Sequence, residues 1–153
     1  MSFQNAAETA LLQLIFNNTN YALIGDAGGL RGSVAAGNYF ISLHTVDPGE
    51  AATSQAASET AYTGYARVAV VRSVAGWTVA GNNASNAAAV TFGVCTALPG
   101  AAVSHFGIGT DVSGVGNLIL RGTIVIASVA TPYAISVSNA PNYPIGELDV
   151  NLD

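Results

Sequence analysis

The chain has 153 residues, of which 50% are hydrophobic and only 8% are charged, whereas roughly 25% of residues are charged in an average soluble domain. This composition argues against a disordered chain, because disordered chains are poor in apolar residues and rich in charge. The formal net charge is −5, and the basic residues are scattered arginines, which excludes the clustered cations that nucleic-acid binding needs. The length fits a single domain, residues 1–153, with a sizeable core.

Three local features bear on where such a chain works. Residues Met1–Asn5 lack the basic segment of a signal peptide. Thr131-Pro132 interrupts the longest apolar stretch, so no run approaches the ~20 residues of a membrane span. Cys95 stands alone, which excludes an internal disulfide and a cysteine-based metal site and predicts a small buried side chain. We therefore expect a soluble protein that is made in the cytoplasm.

The N-terminal part, residues 1–37, is predicted to form one helix followed by a glycine-rich arm. Asn5 can cap the helix, Glu8 lies in its first turn, and the asparagine-rich cluster 17–20 ends it. Residues Gly25–Gly37 are predicted to form a loop that becomes ordered on contact with a partner. The predicted apolar face, at the spacing of one helical side, consists of Ala7, Leu11, Leu14 and Ile15.

From residue 38 to residue 153 the pattern changes to about eight short β-type runs separated by turn residues. The predicted strands are Tyr39–Thr45, Tyr65–Val74, Trp77–Ala80, Ala87–Phe92, Val103–Gly109, Leu118–Ile126, Tyr133–Ser138 and Leu148–Leu152. In the first strand Ile41 and Leu43 share the core face, and Ser42 and His44 take a polar face. The predicted fold is all-β: an antiparallel β-sandwich or jelly roll with one N-terminal α-helix.

The histidines are the first candidates for chemistry. His44 precedes Asp47 and Glu50, and a histidine with two carboxylates can hold a divalent ion. The tight turn at Pro48-Gly49 points the two acids outward, so we interpret His44 as a strand-end residue bonded to its own loop. His105 and Asp111 lie in one segment, whereas the members of a catalytic triad converge from separate segments. We expect no catalytic residue, no metal and no cofactor.

Three other features have structural interpretations. The glycines of Gly107–Gly114 superficially resemble a phosphate loop, but no lysine follows and the next element is a strand rather than a helix. Trp77 is expected in the core. Tyr62 and Tyr65 flank a turn, where they either anchor a strand or form an aromatic contact surface.

Arg67 is the candidate for a structural ion pair, because a guanidinium binds carboxylates through two parallel hydrogen bonds. We hypothesise that it pairs with Glu50 of the acidic turn or with Glu59 and so fixes the long loop onto the sheet. The alternative is that Arg67 and Arg72 are unrelated surface residues, because they lie five residues apart on one predicted strand and face opposite sides.

A set of short segments matches a known pattern. These segments are Ala6–Leu12, Phe16–Thr19, Ile41–Ala51, Ala61–Val68, Gly76–Val79 and His105–Thr110. They resemble a family of small structural proteins of tailed-bacteriophage virions. The resemblance extends to about Ile124 and is most specific between Leu43 and Arg67, in the sequence LHTVDPGE followed by YTGYAR.

The resemblance implies a homo-oligomeric structural component of the virion and not an enzyme. The preferred assignment is a capsid decoration (cement) protein that binds the outer face of the major capsid protein shell, with that protein and copies of itself as partners. The alternatives are a tail or tail-fibre component and a carbohydrate-binding jelly-roll module. In the latter, the candidate sugar-binding residues are Tyr62, Tyr65 and the Asp47 turn. The candidate partner-contact residues are Leu11, Ile15, Asp26, Arg31, Asp47, Glu50 and Tyr62.

Overall fold

The computed structural model describes residues 3–22, 24–124 and 132–152. These residues contain the helix α1 (Asn5–Asn17) and nine strands, which are β1 (Asn38–His44), β2 (Val68–Val71), β3 (Trp77–Ala80), β4 (Asn83–Asn86), β5 (Val90–Thr91), β6 (His105–Gly109), β7 (Leu118–Thr123), β8 (Asn142–Tyr143) and β9 (Asp149–Asn151). Within the described ranges no helix has the length and apolar character of a membrane span.

The strands form three sheets, with the orders β2-β1-β6-β7, β3-β4-β9 and β5-β8. Pairing is antiparallel between β1 and β6, β6 and β7, β3 and β4, β4 and β9, and β5 and β8. The prediction of an all-β protein with one short N-terminal helix is therefore confirmed, and the antiparallel sheets are consistent with a sandwich.

The chain divides into two compact units. Unit 1 comprises Met1–Asn38, Val71–Ala89 and Pro144–Asp153, and unit 2 comprises Tyr39–Val70 and Val90–Tyr143. Unit 1 holds α1 and the sheet β3-β4-β9, whereas the four-stranded sheet and the pair β5-β8 belong to unit 2, apart from the end residues Asn38 and Val71. The single domain stays a prediction.

The core of unit 1 lies between α1 and the strands β3 and β4. Leu12 and Phe16 are buried on the helix, and the ring centroid of Phe16 lies 4.6 Å from that of Trp77, which is fully buried as predicted. Thr9 Oγ1 donates a hydrogen bond of 2.8 Å to the carbonyl of Gly81 in the β3–β4 turn. The helix is thus fixed at two points along its length.

The predicted apolar face of α1 was wrong. The buried side chains are Glu8, Leu12 and Phe16, whereas Leu11 and Ile15 are only partly buried. The helix is apolar on more than one side, so its periodicity allowed two neighbouring faces. The aromatic contact with β3 selects between them, and that contact depends on residues far away in the sequence.

The ends of α1 also differ from expectation at one point. Gln4, and not Asn5, is the N-cap, and its side chain makes no capping hydrogen bond; Glu8 does lie in the first turn. At the other end Asn18 takes a left-handed conformation with φ 56°, and its backbone N–H donates to the carbonyl of Gln13. Asparagine tolerates this conformation better than most residues do, so the predicted asparagine-rich stop is confirmed.

Arg72 joins the C-terminal end of α1 to the glycine-rich loop. Its Nε donates to the carbonyl of Ile15 at 2.5 Å, its Nη2 to the carbonyl of Leu14 at 2.8 Å, and its Nη1 to Ser33 Oγ at 2.8 Å. Asn18 bonds to the backbone of Ser33 in both directions, with Nδ2 donating and Oδ1 accepting. The loop is therefore held inside unit 1, and the interpretation of Arg72 as an unrelated surface residue was wrong.

The strand predictions were correct in place more often than in extent. Trp77–Ala80 is observed as predicted, but the predicted strand Tyr65–Val74 shrinks to β2, and Tyr133–Ser138 is not a strand. The strands β4 and β8 are not among the predicted ones. Residues 125 and 126, the end of another predicted strand, lie outside the described residues.

The apolar core of unit 2 is built mainly from the sheet β2-β1-β6-β7 and the segment around β5 and β8. Cys95 is completely buried, as predicted. The rings of Phe92 and Phe106 each make an edge contact with Tyr143, with centroid distances of 6.3 and 6.2 Å. The largest fully buried apolar side chains of this unit are Ile41, Leu43, Phe92, Val103, Ile108 and Tyr143.

Candidate functional site

Unit 2 contains a cluster of polar side chains that is buried against the sheet. We call it the buried polar cluster, and its members are Ser42, His44, Gln55, Glu59, Tyr65 and Arg67. The long loop after β1 returns over the strand, with Thr45 N donating to Ser58 O and Thr60 N donating to Leu43 O, both at 2.9 Å. The loop covers the polar face of β1 that carries Ser42 and His44. The contact of His44 with Ala57 in this loop confirms the interpretation of His44 as a strand-end residue bonded to its own loop.

Ser42 and His44 form the first part of the cluster, and both are 0% exposed. His44 Nδ1 lies 2.7 Å from the carbonyl oxygen of Ala57, which can only accept a hydrogen bond, so Nδ1 carries the proton. Ser42 Oγ lies 2.9 Å from His44 Nε2 and donates to it. Burial lowers the pKa of His44 from 6.5, despite the opposing hydrogen bond to Ala57, so the imidazole is neutral at pH 7.

Gln55 connects this pair to the rest of the cluster and is also 0% exposed. Its Nε2 donates to Ser42 Oγ at 3.2 Å and to the carbonyl of Phe40 at 2.6 Å. Its Oε1 accepts from Arg67 Nη1 at 3.2 Å. Both ends of the carboxamide are therefore bonded, which fixes its orientation beside the serine hydroxyl.

Arg67 and Glu59 form the charged part of the cluster. Arg67 Nε and Nη2 donate to the two carboxylate oxygens of Glu59 at 2.8 and 2.7 Å, and the two side chains are 3% and 14% exposed. The bonds to Glu59 are the largest cause of a raised pKa at Arg67. Arg67 also donates to the carbonyls of Asp111 and Gly114. Tyr65 Oη donates to Glu59 at 2.7 Å, and burial raises the pKa of Tyr65.

Three glycines make room for the cluster. A Cβ atom at Gly107 would lie 2.5 Å from His44 Nε2 and 2.7 Å from Ser42 Oγ, and one at Gly109 would lie 2.1 Å from Gln55 Oε1. A Cβ at Gly116 would approach Gln55 Oε1 to 3.2 Å. Glycine in a strand interior often marks a place where another group approaches closely, which explains the glycines of β6 that superficially resembled a phosphate loop.

The acidic turn lies beside the edge strand β7. Asp47 pairs with Arg121 at 3.1 Å, with side chains that are 47% and 31% exposed. Gly49, Glu50 and Ala52 face residues 118–121 across an open cavity of about 350 Å³. Within the described ranges, no group of three or more His, Cys, Asp or Glu side chains is placed to hold a metal ion.

The structure brings together only some of the residues that the sequence analysis selected. Arg67 pairs with Glu59, whereas Glu50 lies at the cavity beside β7 and takes no part in that pair. Tyr62 is only 3% exposed and donates to the carbonyl of Gly93 at 2.8 Å, and burial raises its pKa to about 12. It anchors the chain inside unit 2 and offers no exposed ring to a partner or a sugar.

The other predicted contact residues lie in unit 1. Asp26 and Arg31 form an ion pair at 2.8 Å, and their side chains are 61% and 62% exposed. Leu11 and Ile15 lie on the partly buried sides of α1. A role for these four residues in binding a partner stays a prediction.

Sequence reasoning missed Gln55 and the pairing of Ser42 with His44. Gln55 lies among alanine, serine and threonine in a stretch that reads as a plain loop, and no local pattern marks it. The available signal was the pair of glycines in β6. Glycine inside a strand often marks a place where another group packs closely against the backbone. Sequence alone does not reveal which residue that is.

Comparisons with known proteins place the chain. No match appears among the curated proteins. A family model described as "Podophage GP4 fiber I protein gp80" matches residues 2–151. The match supports the resemblance to phage virion proteins at the level of the family, whereas the short LHTVDPGE motif remains a prediction. The chain therefore belongs to the Podophage GP4 fiber I protein gp80 family and is a structural protein of a bacteriophage virion.

Proposed function

We propose that this chain is a subunit of a fibre that projects from the phage particle. The observation that carries the proposal is the match over residues 2–151 to a family described as a fibre protein. That description favours the fibre over the capsid decoration protein that the sequence analysis preferred, in which the outer face of the major capsid protein shell would be the partner. The proposed role is structural and includes no turnover of an external substrate.

Three exposed apolar residues on hydrogen-bonded segments of unit 2, which we call the apolar patch, support assembly with copies of the same chain. Leu98 is 77% exposed, and Val94 and Val137 are about half exposed. The segments that carry them are joined by two backbone hydrogen bonds of 2.8 Å between Cys95 and residues 138 and 139. A chain with so few charges gains little solubility from its polar surface, so burying this apolar patch against another subunit is favourable.

Backbone strain at the patch also supports a contact with another subunit. Leu98 has φ 48°, a conformation that a leucine rarely adopts, and it directly precedes Pro99. Strained conformations persist where the surrounding structure imposes them, and they cluster at functional surfaces. We propose that the segment presents Leu98 to a neighbouring subunit of the fibre.

The self-association can be tested with Leu98→Asp. Aspartate tolerates the left-handed conformation better than leucine does, so the variant should fold while placing a charge in the patch. Light scattering after gel filtration should give an oligomer for the unchanged protein and a smaller species for the variant. Val34→Asp is the matched control, because Val34 is a fully exposed apolar residue of unit 1; an equal loss in both variants would contradict a role for this patch.

The fibre and cement assignments are separated on the particle. Gold-labelled antibodies against this chain should mark projections in electron micrographs of virions, and particles that lack the chain should adsorb poorly while their heads keep normal heat resistance. Labelling spread over the capsid lattice, together with heads that rupture at a lower temperature, would overturn the fibre assignment and restore the cement protein.

A further inference from the structure

The buried polar cluster holds a nucleophile, a base and a carboxamide in contact, and the proposed fibre role does not use them. Ser42 Oγ lies 2.9 Å from His44 Nε2 and 3.2 Å from Gln55 Nε2. We propose that Ser42 and Gln55 react with each other to form an intramolecular ester, with release of ammonia. The modification is carried out by the chain on itself and needs no other reactant.

The nucleophile and the base have the geometry that activates a serine. The carbonyl of Ala57 holds the proton on His44 Nδ1, which leaves the lone pair of Nε2 directed at the Ser42 hydroxyl. A nucleophile next to a base that a third group orients is the usual arrangement for an activated serine. Burial lowers the pKa of His44, so the imidazole is free to accept a proton at neutral pH.

The carboxamide is polarised from the opposite side. Arg67 Nη1 donates to Gln55 Oε1 at 3.2 Å, the oxygen on which negative charge develops when a nucleophile attacks the amide carbon. Glu59 and two backbone carbonyls hold Arg67 in place. A fixed cationic donor aimed at the developing oxyanion in a buried site is an arrangement that stabilises a tetrahedral intermediate.

The step balances without an external oxidant, reductant or water. Ser42 Oγ forms a bond to Gln55 Cδ as His44 Nε2 takes the hydroxyl proton, and Arg67 stabilises the charge on Oε1. The tetrahedral intermediate then breaks the Cδ–Nε2 bond, and His44 returns the proton to the departing nitrogen. The products are an ester between the two side chains and one molecule of ammonia.

Burial explains why the reaction favours the ester and not hydrolysis. Ser42, His44 and Gln55 are each 0% exposed, so bulk water does not reach the bond, whereas ammonia that escapes into solution is not replaced. Gly107 and Gly109 pack so closely over the reacting groups that an added Cβ would clash with them. The same burial argues against a serine hydrolase, because an external substrate has no route to Ser42.

The crosslink would serve a protein that is exposed to mechanical load. It would join β1 to the covering loop across 13 positions of the sequence and enclose the acidic turn that carries Asp47 and Glu50. A covalent bridge of this kind limits the freedom of the unfolded chain, as a disulfide does. This chain has one cysteine and cannot use an internal disulfide for that purpose.

Mass spectrometry of the denatured protein tests the proposal directly. We expect an intact mass below the sequence mass by one ammonia, about 17 Da, as acylation of a hydroxyl by an amide requires. Cleavage after Asp47 and Glu50 should leave the fragments that contain Ser42 and Gln55 joined, and alkaline hydroxylamine should separate them. An intact mass equal to the sequence mass, or a loss of ammonia with separate fragments, would overturn the proposal.

Variants identify the reacting groups. Ser42→Ala should show its full sequence mass and separate fragments, whereas Ser104→Ala is the matched control, because Ser104 Oγ also lies 2.9 Å from a histidine nitrogen but bonds to the carbonyl of Thr45. The control should retain the loss of ammonia. A crosslink that persists in Ser42→Ala would refute the assignment. The mass of the unchanged protein decides the question even where a variant folds poorly.

Discussion

Two arginines that flank β2 are used in opposite ways by the two units. In unit 2, Arg67 is buried and meets a full negative charge on Glu59. In unit 1, Arg72 meets neutral carbonyl oxygens at the C-terminal end of α1 and the hydroxyl of Ser33. The first arrangement compensates an ion that has lost its water, whereas the second uses a cation to satisfy the partial negative charge of a helix end.

Each unit depends on a different interaction. A buried cation without its partner is very unfavourable, so the loop over β1 depends on Arg67 and Glu59 being present together. A cation at a helix end contributes modestly, and the helix retains its packing through Phe16 and Trp77 without it. Unit 2 should therefore respond sharply to single changes in its polar cluster, and unit 1 should respond weakly to the loss of Arg72.

The largest effect should follow Arg67→Met. Removing the guanidinium leaves the Glu59 carboxylate buried without its partner, which should lower the free energy of unfolding by about 3–5 kcal/mol. Chemical denaturation followed by fluorescence measures the change. The double variant Arg67→Met with Glu59→Leu should recover much of the loss, and a double variant that is less stable than the single one would contradict this account.

A smaller loss should follow Gly109→Ala. The added Cβ would lie 2.1 Å from Gln55 Oε1 and 2.6 Å from the carbonyl oxygen of Asn117, so either the carboxamide or the backbone has to move. Overpacking of this kind costs about 1–3 kcal/mol. Thermal unfolding checks the stability, with Gly81→Asn as a control, because a Cβ at Gly81 meets nothing within 4 Å and asparagine tolerates a positive φ.

Arg72→Gln should have a more modest effect, about 1–2 kcal/mol, because it removes a cation from a helix C-terminus. Amide hydrogen exchange should show faster exchange in the last turn of α1 and in the loop that carries Ser33, with little change in unit 2. Arg31→Ala is the matched control, because its ion pair with Asp26 is largely exposed and such pairs contribute little. Equal effects of the two substitutions would remove Arg72 from the helix anchor.

The smallest effect concerns pH. The folded-state pKa of His44 is lowered from 6.5 by burial, so below about pH 6.5 the unfolded chain binds more protons than the folded one. Stability should therefore fall as the pH drops from 7 through the interval below 6.5 and recover when the pH is raised. His44→Gln should flatten this dependence, and His105→Gln should preserve it. A steep dependence that survives in His44→Gln would assign the titration to another group.

The predictions from the sequence were correct where they depended on neighbouring residues. The alternation and turn residues predicted β1, β3 and the all-β class, and the asparagine cluster predicted the end of α1. The prediction failed at β4, whose four residues are polar or small. There, Asn83 Nδ2 donates to Asp149 Oδ1 at 2.7 Å across the sheet, and such a contact leaves no periodic trace in the sequence.

The site shows the same division. An arginine that pairs with a carboxylate from the loop was foreseeable, because the chain has only four basic residues and the guanidinium favours such a pair. The role of Gln55 was not foreseeable, because its partners Phe40, Ser42 and Arg67 are dispersed along the chain. Their meeting depends on how the loop folds back over β1.

The sequence by itself determined the fold class, the presence of one helix and the burial of Trp77 and Cys95, because periodicity, turn residues and side-chain hydrophobicity act over short distances. Only the tertiary structure decided which face of α1 is buried, which carboxylate pairs with Arg67, and that Ser42 and His44 are enclosed. Those outcomes depend on contacts between segments far apart in the chain, where packing and the compensation of buried charge select one arrangement from several that the sequence permits.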